Sequence, residues 1–180
     1  MNAVIECLET RRSVRAYKPD MPSQEIIDQV IEAGIYAPTG KGHQSPVIVA
    51  VTNKAVRDRL SRMNAEILGM VTDPSRGKDP FYGAPVVLVV LADRSWPTHV
   101  YDGSLVMGNL MNAAHSLGLG SCWIHRAKDE FDSPEGKELL KEWGIEGDYE
   151  GIGHCILGYP LSNANPAPKT RKPDYVKYVK

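Results

Sequence analysis

Residues 100–117 are the most apolar segment of the chain, and their spacing predicts a helix with apolar side chains around most of its circumference. A helix of this kind has to be covered on all sides, either by its own domain or by a partner subunit. No stretch of the sequence approaches the roughly 20 consecutive apolar residues of a membrane-spanning helix, so we expect no membrane segment. The segment therefore predicts the centre of a globular core, and a dimer interface explains it equally well.

Short runs rich in β-branched and other apolar residues predict strands at residues 47–51, 86–91, 121–124 and 152–157. Helical patterns follow the N-cap residues Asn2, Ser23 and Ser133 and also cover residues 55–68. The alternation of strands and helices is compatible with a parallel doubly wound sheet, and periodicity by itself does not exclude that arrangement.

Two further segments lack a periodic apolar pattern. Residues 72–78 contain Gly and Pro and predict a mobile surface loop. Residues 160–180 predict an extended arm stiffened by proline. Its last part, residues 175–179, alternates like a strand, so we expect this tail to dock on another surface.

The composition is that of an ordinary globular protein. The chain has 180 residues, of which 42% are hydrophobic and 24% charged, and we expect one domain spanning residues 1–180. The formal net charge of −1 argues against nucleic-acid binding, which requires a basic field. Local basic clusters can therefore be discrete anion sites. The N-terminus has no signal-peptide pattern, so we expect a cytoplasmic protein.

Several chemical signatures are absent from the sequence. There is no P-loop motif, no dinucleotide fingerprint after a strand and no nucleophile motif of the GxSxG type. The histidines lack metal-ligand spacing, so we expect no metal site. Cys7, Cys122 and Cys155 are typical of small core residues in a reducing compartment, with a redox-active Cys122 as the alternative.

Basic and small polar residues cluster near the two ends of the chain. The clusters are Arg11, Arg12, Ser13 and Arg15 at one end, and Lys169 and Arg171 at the other. Guanidinium groups bind oxyanions with two parallel hydrogen bonds, so the first cluster suits a phosphate ester. A solvated basic turn, paired with Glu6 and Glu9, is the alternative interpretation of the first cluster alone.

Together with three segments between them, these clusters resemble the FMN-dependent nitroreductase family, in its compact branch. The matching motifs are RRSVRAY at residues 11–17, APT at 37–39 with Gln44, FYGAPV at 81–86, LGLGSCW at 117–123 and KTRKP at 169–173. They occur in the family's order and span nearly the whole chain. The resemblance implies an α+β fold of three αβα layers, with a mixed, mainly antiparallel sheet and an extended C-terminal arm.

The resemblance also implies which residues bind FMN. Arg11, Ser13, Lys169 and Arg171 would hold the phosphate and ribityl chain, with Arg12 beside them. Arg15 would approach the pyrimidine edge of the isoalloxazine, and Asn64 would bind the ring. Pro38, Thr39, Gly40 and Gln44 would cover the ring from the partner subunit, and Gly120 and Ser121 would bring backbone groups to its other side. The site would thus lie between the two subunits of a homodimer.

The function that the resemblance implies is an oxidoreductase with ping-pong kinetics. NAD(P)H would pass a hydride to FMN, and an electron-poor small molecule such as a nitroaromatic or a quinone would then accept it. Because the flavin carries the redox chemistry, no catalytic side chain is assigned. The alternatives are a flavin reductase or an ene-type reductase, a flavin carrier or sensor without turnover, and an anion-binding α/β protein without flavin.

The sequence departs from the family near the expected ring. Gly42 stands where many members have Asn, and Pro46 follows Ser45 where many have an aromatic residue, which leaves the acceptor open. Lys41, His43, His125 and Arg126 at the pocket mouth would favour an anionic substrate or the nicotinamide cofactor's phosphate. Ordinary solvated loop residues are the alternative interpretation of these four.

Overall fold

The computed structural model describes residues 2–69, 79–162 and 164–180, so the loop predicted at residues 72–78 lies outside the described residues. Four strands form one sheet in the order β1-β2-β4-β3. The strands are β1 Pro46–Val51, β2 Val86–Asp93, β3 Gly120–Ile124 and β4 Tyr149–Gly158. All three strand pairs are antiparallel. The only parallel pairing among the described residues is a single bridge between Ser13 and Ser121, so the sheet is mainly antiparallel, as expected.

The helices begin where the sequence provides side chains that cap them. Their bounds are α1 Ala3–Thr10, α2 Gln24–Ile35, α3 Lys54–Ile67, α4 His99–Ser116, α5 Ala127–Asp132 and α6 Pro134–Glu142. The side chains of Asn2, Ser23 and Ser133 each accept a hydrogen bond from a backbone N–H in the first turn. These three N-caps confirm the predicted helix starts. No helix in the described ranges is long and apolar enough to cross a membrane.

The sheet lies between two layers of helices, because the central strands are apolar on both faces. In β2, the side chains from Val86 to Ala92 are all buried. Alternate residues of that strand point to opposite faces, as the period of a strand requires. One face packs on Ile27 and Val30 of α2 and Met107 and Leu110 of α4. The other packs on Leu60 and Met63 of α3, Phe131 of α5 and Leu139 of α6.

Helix α4 is only partly covered by its own chain. Its inner face buries Val106, Met107 and Leu110, but 72% of Tyr101 and 48% of Leu105 are exposed. The predicted helix is therefore confirmed, and part of its apolar surface is left uncovered by the residues that the structure describes.

The C-terminal arm leaves the domain next to Tyr17, which forms a bridge with Pro160. In the single chain residues 175–179 have no regular structure, and Tyr178 and Val179 are almost fully exposed, so the docking of this tail on another surface stays a prediction. None of the backbone hydrogen bonds of the described residues joins it to the sheet. A strand needs a partner edge, and the chain's own sheet does not supply one to these residues.

Candidate functional site

The basic loop, residues 11–15, is pressed against the start of β3. Helix α1 ends at Thr10 with Arg11 as its C-cap, and the next pairing of the chain is the parallel bridge between Ser13 and Ser121. The Val14 N–H donates to the Ser121 carbonyl at 3.0 Å. A β-carbon at Gly120 would lie 2.8 Å from side-chain carbons of Val14, so the close approach requires glycine. The structure thus brings together Ser13, Gly120 and Ser121, which the sequence predicts to share a site.

Arg11 has a buried guanidinium nitrogen that the protein does not satisfy. Its Nη1 atom is buried and has no hydrogen-bond partner among the described residues. A buried charged donor without an acceptor is costly, and an anion is the group that removes that cost. Burial lowers the pKa of nearby His115, and the positive charges of Arg11 and Arg12 lower that pKa further. The loop is therefore electropositive and contains an unsatisfied buried donor.

Arg12 has a different place from Arg11. Its Nη1 donates to the carbonyls of Glu9 at 2.7 Å and Arg11 at 2.8 Å, which lie at the end of α1. These bonds satisfy terminal helix carbonyls, and a cation there is favourable for the helix dipole. Arg12 thus stabilises the helix end from which Arg11 projects.

The first residues of the C-terminal arm run beside the basic loop. The Lys18 N–H donates to the Tyr159 carbonyl at 2.8 Å, and the Leu161 N–H donates to the Ala16 carbonyl at 3.1 Å. Farther along the arm, Lys169 and Arg171 are exposed. No hydrogen bond or ion pair of the described residues joins them to the basic loop. The start of the arm is in place, and the contribution of these two side chains to an anion site stays a prediction.

The loop at residues 38–45 is held by one buried carboxylate, Asp102 of α4. Its Oδ1 accepts from the Gly40 N–H at 2.9 Å, and its Oδ2 accepts from the Ser45 hydroxyl at 2.7 Å and the Thr98 hydroxyl at 3.1 Å. Burial opposes the charge of Asp102, but these hydrogen bonds outweigh it and lower the pKa of the carboxyl below its ordinary value. The loop is therefore anchored on the core before any ligand binds.

Within this loop the residues predicted to cover the ring differ in their burial. Thr39 is half-buried, and its hydroxyl oxygen accepts from the Gln44 N–H at 3.0 Å. Pro38 and Gln44 are exposed. None of the described hydrogen bonds joins this loop to residues 11–15 of the same chain. The loop is preformed, and its contact with a ring across a subunit boundary stays a prediction.

Replacing Asp102 by asparagine should lower the free energy of unfolding by about 1–2 kcal/mol, because one of its donors loses its acceptor. The lowered pKa means that the carboxylate stabilises the fold above its unfolded pKa of about 3.9, and this stabilisation is lost as the pH falls through the folded pKa. The difference between the two proteins should therefore shrink from pH 7 to pH values of about 3.

Urea unfolding at both pH values measures this difference. The exposed Asp28→Asn is the matched control, for which a change within about 0.5 kcal/mol is expected. A difference that stays constant with pH would show that the charge of Asp102 does not hold the loop.

A cleft of about 420 Å³ opens beside the end of β3. Its lining residues are Arg15, Leu68, Asp79, Pro80, Tyr82, Cys122, Trp123, Ile124, His125 and Arg126. Arg15 thus connects the cleft to the basic loop, and it is an exposed residue. Burial raises the pKa of the Cys122 thiol, so it is less ionised than an ordinary cysteine, which does not favour the redox-active alternative.

Asn64 does not lie on the surface of this cleft. It is fully buried on α3. Its Oδ1 accepts from Arg126 Nε at 3.0 Å and Nη2 at 2.9 Å, while its Nδ2 donates to the His125 carbonyl at 2.8 Å and to the carboxylate of Glu130. These bonds use the full capacity of the amide. The ring contact expected of Asn64 is therefore not supported by the geometry: Arg126, which Asn64 holds, is the polar side chain that reaches the cleft.

Known proteins resemble this chain in sequence and in fold. The model of the nitroreductase family matches residues 8–159. A protein of Methanothermobacter thermautotrophicus is 30% identical over 169 residues, which are 89% of this chain and 78% of that protein. An FMN reductase [NAD(P)H] of Bacillus subtilis is 28% identical over 192 residues, which are 94% of this chain and 70% of that protein.

The fold has solved counterparts as well. The crystal structure of a nitroreductase with bound FMN from Bacteroides fragilis superposes with a TM-score of 0.88 and 27% identity, and 100% of each chain is covered. The family match covers the basic loop, the anchored loop, the cleft and the whole sheet. The chain therefore belongs to the nitroreductase family.

Proposed function

We propose that this protein is an FMN-dependent oxidoreductase that passes a hydride from NAD(P)H through bound flavin to an electron-poor acceptor such as a nitroaromatic or a quinone. The observation that carries the proposal is the buried, unsatisfied Nη1 of Arg11 beside the Ser13–Ser121 bridge. A phosphate ester suits this site at Arg11, because it supplies the acceptor oxygens that the guanidinium lacks.

The remaining predicted residues have stated tasks in this proposal. Ser13 and Arg11 would hold the phosphate, with Lys169 and Arg171 reaching it from the arm. Arg15 would place its charge beside the ring, where a cation stabilises the negative charge that reduction adds. Bound FMN supplies the redox chemistry by accepting two electrons from the nicotinamide and passing them to the acceptor. The protein's own part is to bind the flavin, to orient the substrates against it and to stabilise the charge of the reduced ring.

The proposal includes a homodimer with the site at the subunit interface. Helix α1 exposes 67% of Val4, 50% of Ile5 and 55% of Leu8. The neighbouring helix α4, bonded to α1 through Thr10 and His115, exposes Tyr101. Exposed apolar side chains on two neighbouring helices are typical of a subunit contact. Analytical ultracentrifugation tests it: a species of twice 19.8 kDa supports the proposal, and a monomer at micromolar concentration contradicts it.

The absorbance spectrum of the purified protein is the first test of the function. Flavin bands that NAD(P)H bleaches under anaerobic conditions, and that an added nitroaromatic or menadione restores, are the expected result. Initial rates at several acceptor concentrations should give the parallel double-reciprocal lines of a ping-pong mechanism. A colourless protein that leaves the fluorescence of added FMN unchanged would overturn the proposal.

Reduction of free flavin is a second candidate reaction. It is favoured by the likeness to the Bacillus subtilis protein named as an FMN reductase. Turnover with free FMN as the acceptor, compared with nitrofurazone and menadione at equal concentration, separates the two reactions. A flavin carrier or sensor would instead bind FMN tightly without bleaching by NAD(P)H.

A further inference from the structure

The cleft beside β3 carries cations that no carboxylate of the described residues neutralises. Arg15 and Arg126 line it, and among the lining residues that the structure describes Asp79 is the only acidic one. The carboxylate of Asp79 accepts from the N–H groups of Phe81 at 2.8 Å and Gly83 at 2.7 Å and from the Ser61 hydroxyl at 2.5 Å. These hydrogen bonds direct the Asp79 carboxylate toward the turn that precedes β2. The cleft is therefore electropositive, with two guanidiniums.

Arg126 is held rigidly at this cleft. The fully buried Asn64 accepts two hydrogen bonds from its guanidinium, and Asn64 itself is tied to the fully buried Glu130. An arginine side chain that is already ordered loses little rotamer freedom when it binds a ligand. The Nη1 edge is not used by Asn64 and remains available as a donor.

The backbone of Arg126 is also unusual for an arginine. Its φ is 78°, in the left-handed region that favours glycine. A non-glycine residue is held there at a cost, and such positions concentrate at functional sites. A glycine would suit the backbone of this turn better, so the side chain at residue 126 is there for its contacts, which are those with Asn64 and with the cleft.

We propose that Arg126 makes the cleft selective for acceptors that carry a carboxylate or a similar anionic group on the reacting ring. This inference rests on the proposed function and names its substrate class. The Nη1 edge of Arg126 donates to the anionic group, while the aromatic ring of the acceptor packs near Trp123 and Tyr82. Arg15, the residue expected at the flavin ring, lines the same cleft. An anionic group bound by Arg126 therefore lies close to the reacting ring, which is where a carboxylate on that ring would be. In NAD(P)H, by contrast, a ribose separates the nicotinamide ring from the phosphates.

The test compares 4-nitrobenzoate with 4-nitrobenzamide, which share the ring and the nitro group and differ in charge. The reduced holoenzyme is mixed with each acceptor in a stopped-flow instrument, so that the oxidative half-reaction is measured alone. In the wild type, the second-order rate constant should be larger for the carboxylate. In Arg126→Gln, the ratio of the two rate constants should fall about tenfold, the effect of losing one charge-assisted hydrogen bond.

Two other variants keep this test interpretable. Arg126→Gly suits the left-handed backbone, so it should fold even if the glutamine variant does not. It should show the same fall in the ratio of the rate constants for 4-nitrobenzoate and 4-nitrobenzamide. Arg59→Gln is the matched control: it removes one charge from a half-buried arginine that pairs with Glu135 and Glu142 and does not line the cleft. Its ratio should equal that of the wild type.

The outcomes separate the inference from the proposed function. An unchanged ratio in both Arg126 variants overturns the inference, as does a loss confined to the reductive half-reaction, which would assign Arg126 to the phosphates of NAD(P)H. If the protein proves colourless or inert toward NAD(P)H, the proposed function fails. Calorimetric titration of the purified protein with benzoate and benzamide then still tests whether Arg126 binds an anion. Benzoate binding that is weaker in Arg126→Gly than in the wild type supports an anion site, and equal binding in the two proteins overturns it.

Discussion

Replacing Arg11 by alanine should weaken FMN binding by about 1.5–3 kcal/mol, or roughly 10- to 100-fold, the range for a hydrogen bond to a charged group. The guanidinium projects from the end of α1 beside Ser13 and Ser121, and its buried Nη1 has no acceptor among the described residues. In the proposed function the substitution removes a phosphate-binding group, and it also removes a buried donor that has no partner among the described residues. We therefore expect the fold to survive.

Titration of the apoprotein with FMN, followed by quenching of flavin fluorescence, measures the loss. The matched control is Arg59→Ala, which removes an arginine of α3 bonded to Glu135 and Glu142 and should leave the affinity unchanged. Lys169→Ala asks whether the arm reaches the same phosphate, with a loss of similar size expected. Wild-type affinity in the double variant of Arg11 and Lys169 would show that the phosphate binds elsewhere.

Replacing Glu130 by alanine should lower the free energy of unfolding by about 2–5 kcal/mol, because it removes a hydrogen-bond partner of the buried His154 and of the buried Asn64. Glu130 is fully buried, and its carboxylate is hydrogen-bonded to His154 Nε2 at 2.9 Å and to the amide of Asn64. The Nδ1 atom of His154 already lacks a partner among the described residues. Without Glu130, neither ring nitrogen of that buried histidine would be satisfied.

Urea unfolding at neutral pH measures this change. Glu138→Ala, on the exposed face of α6, is the control and should stay within about 0.5 kcal/mol of the wild type. Glu130→Gln keeps the shape and one acceptor oxygen, so it should be less damaging than alanine. A loss below about 1 kcal/mol for Glu130→Ala would contradict a tightly coupled buried network. Because Asn64 joins Glu130 to Arg126, the alanine variant should also loosen the cation at the cleft.

The local elements were within reach of sequence reasoning. All four predicted strands lie within β1 to β4 and match their ends to within a few residues, since apolar β-branched runs and turn residues act over short distances. The long helix α4 follows from its apolar pattern alone. The short α5 was missed, because it begins after an arginine in the left-handed region, and neither its length nor that residue is a helix signal.

The hydrogen bonds between residues far apart in the chain could not be predicted from the sequence. Asp102 holds a loop about 60 residues away, a distance along the chain at which periodicity carries no information. The one available signal was an acid inside an otherwise apolar helix, which requires partners if it is buried. Asn64 was expected at a flavin ring, but its partners Glu130 and Arg126 come from a later part of the chain and enclose it.

By itself, the sequence determined the elements, the family motifs and the basic character of the two chain ends, because residue type and spacing along the chain encode all three. Only the tertiary structure decided which of these polar groups meet. It set Ser13 against Ser121, left Arg11 with a buried and unsatisfied donor, and moved the polar contact at the cleft from Asn64 to Arg126. The physical reason is that burial and hydrogen-bond partnership arise from contacts between segments far apart in sequence, and those contacts determine which charged group is free to bind a ligand.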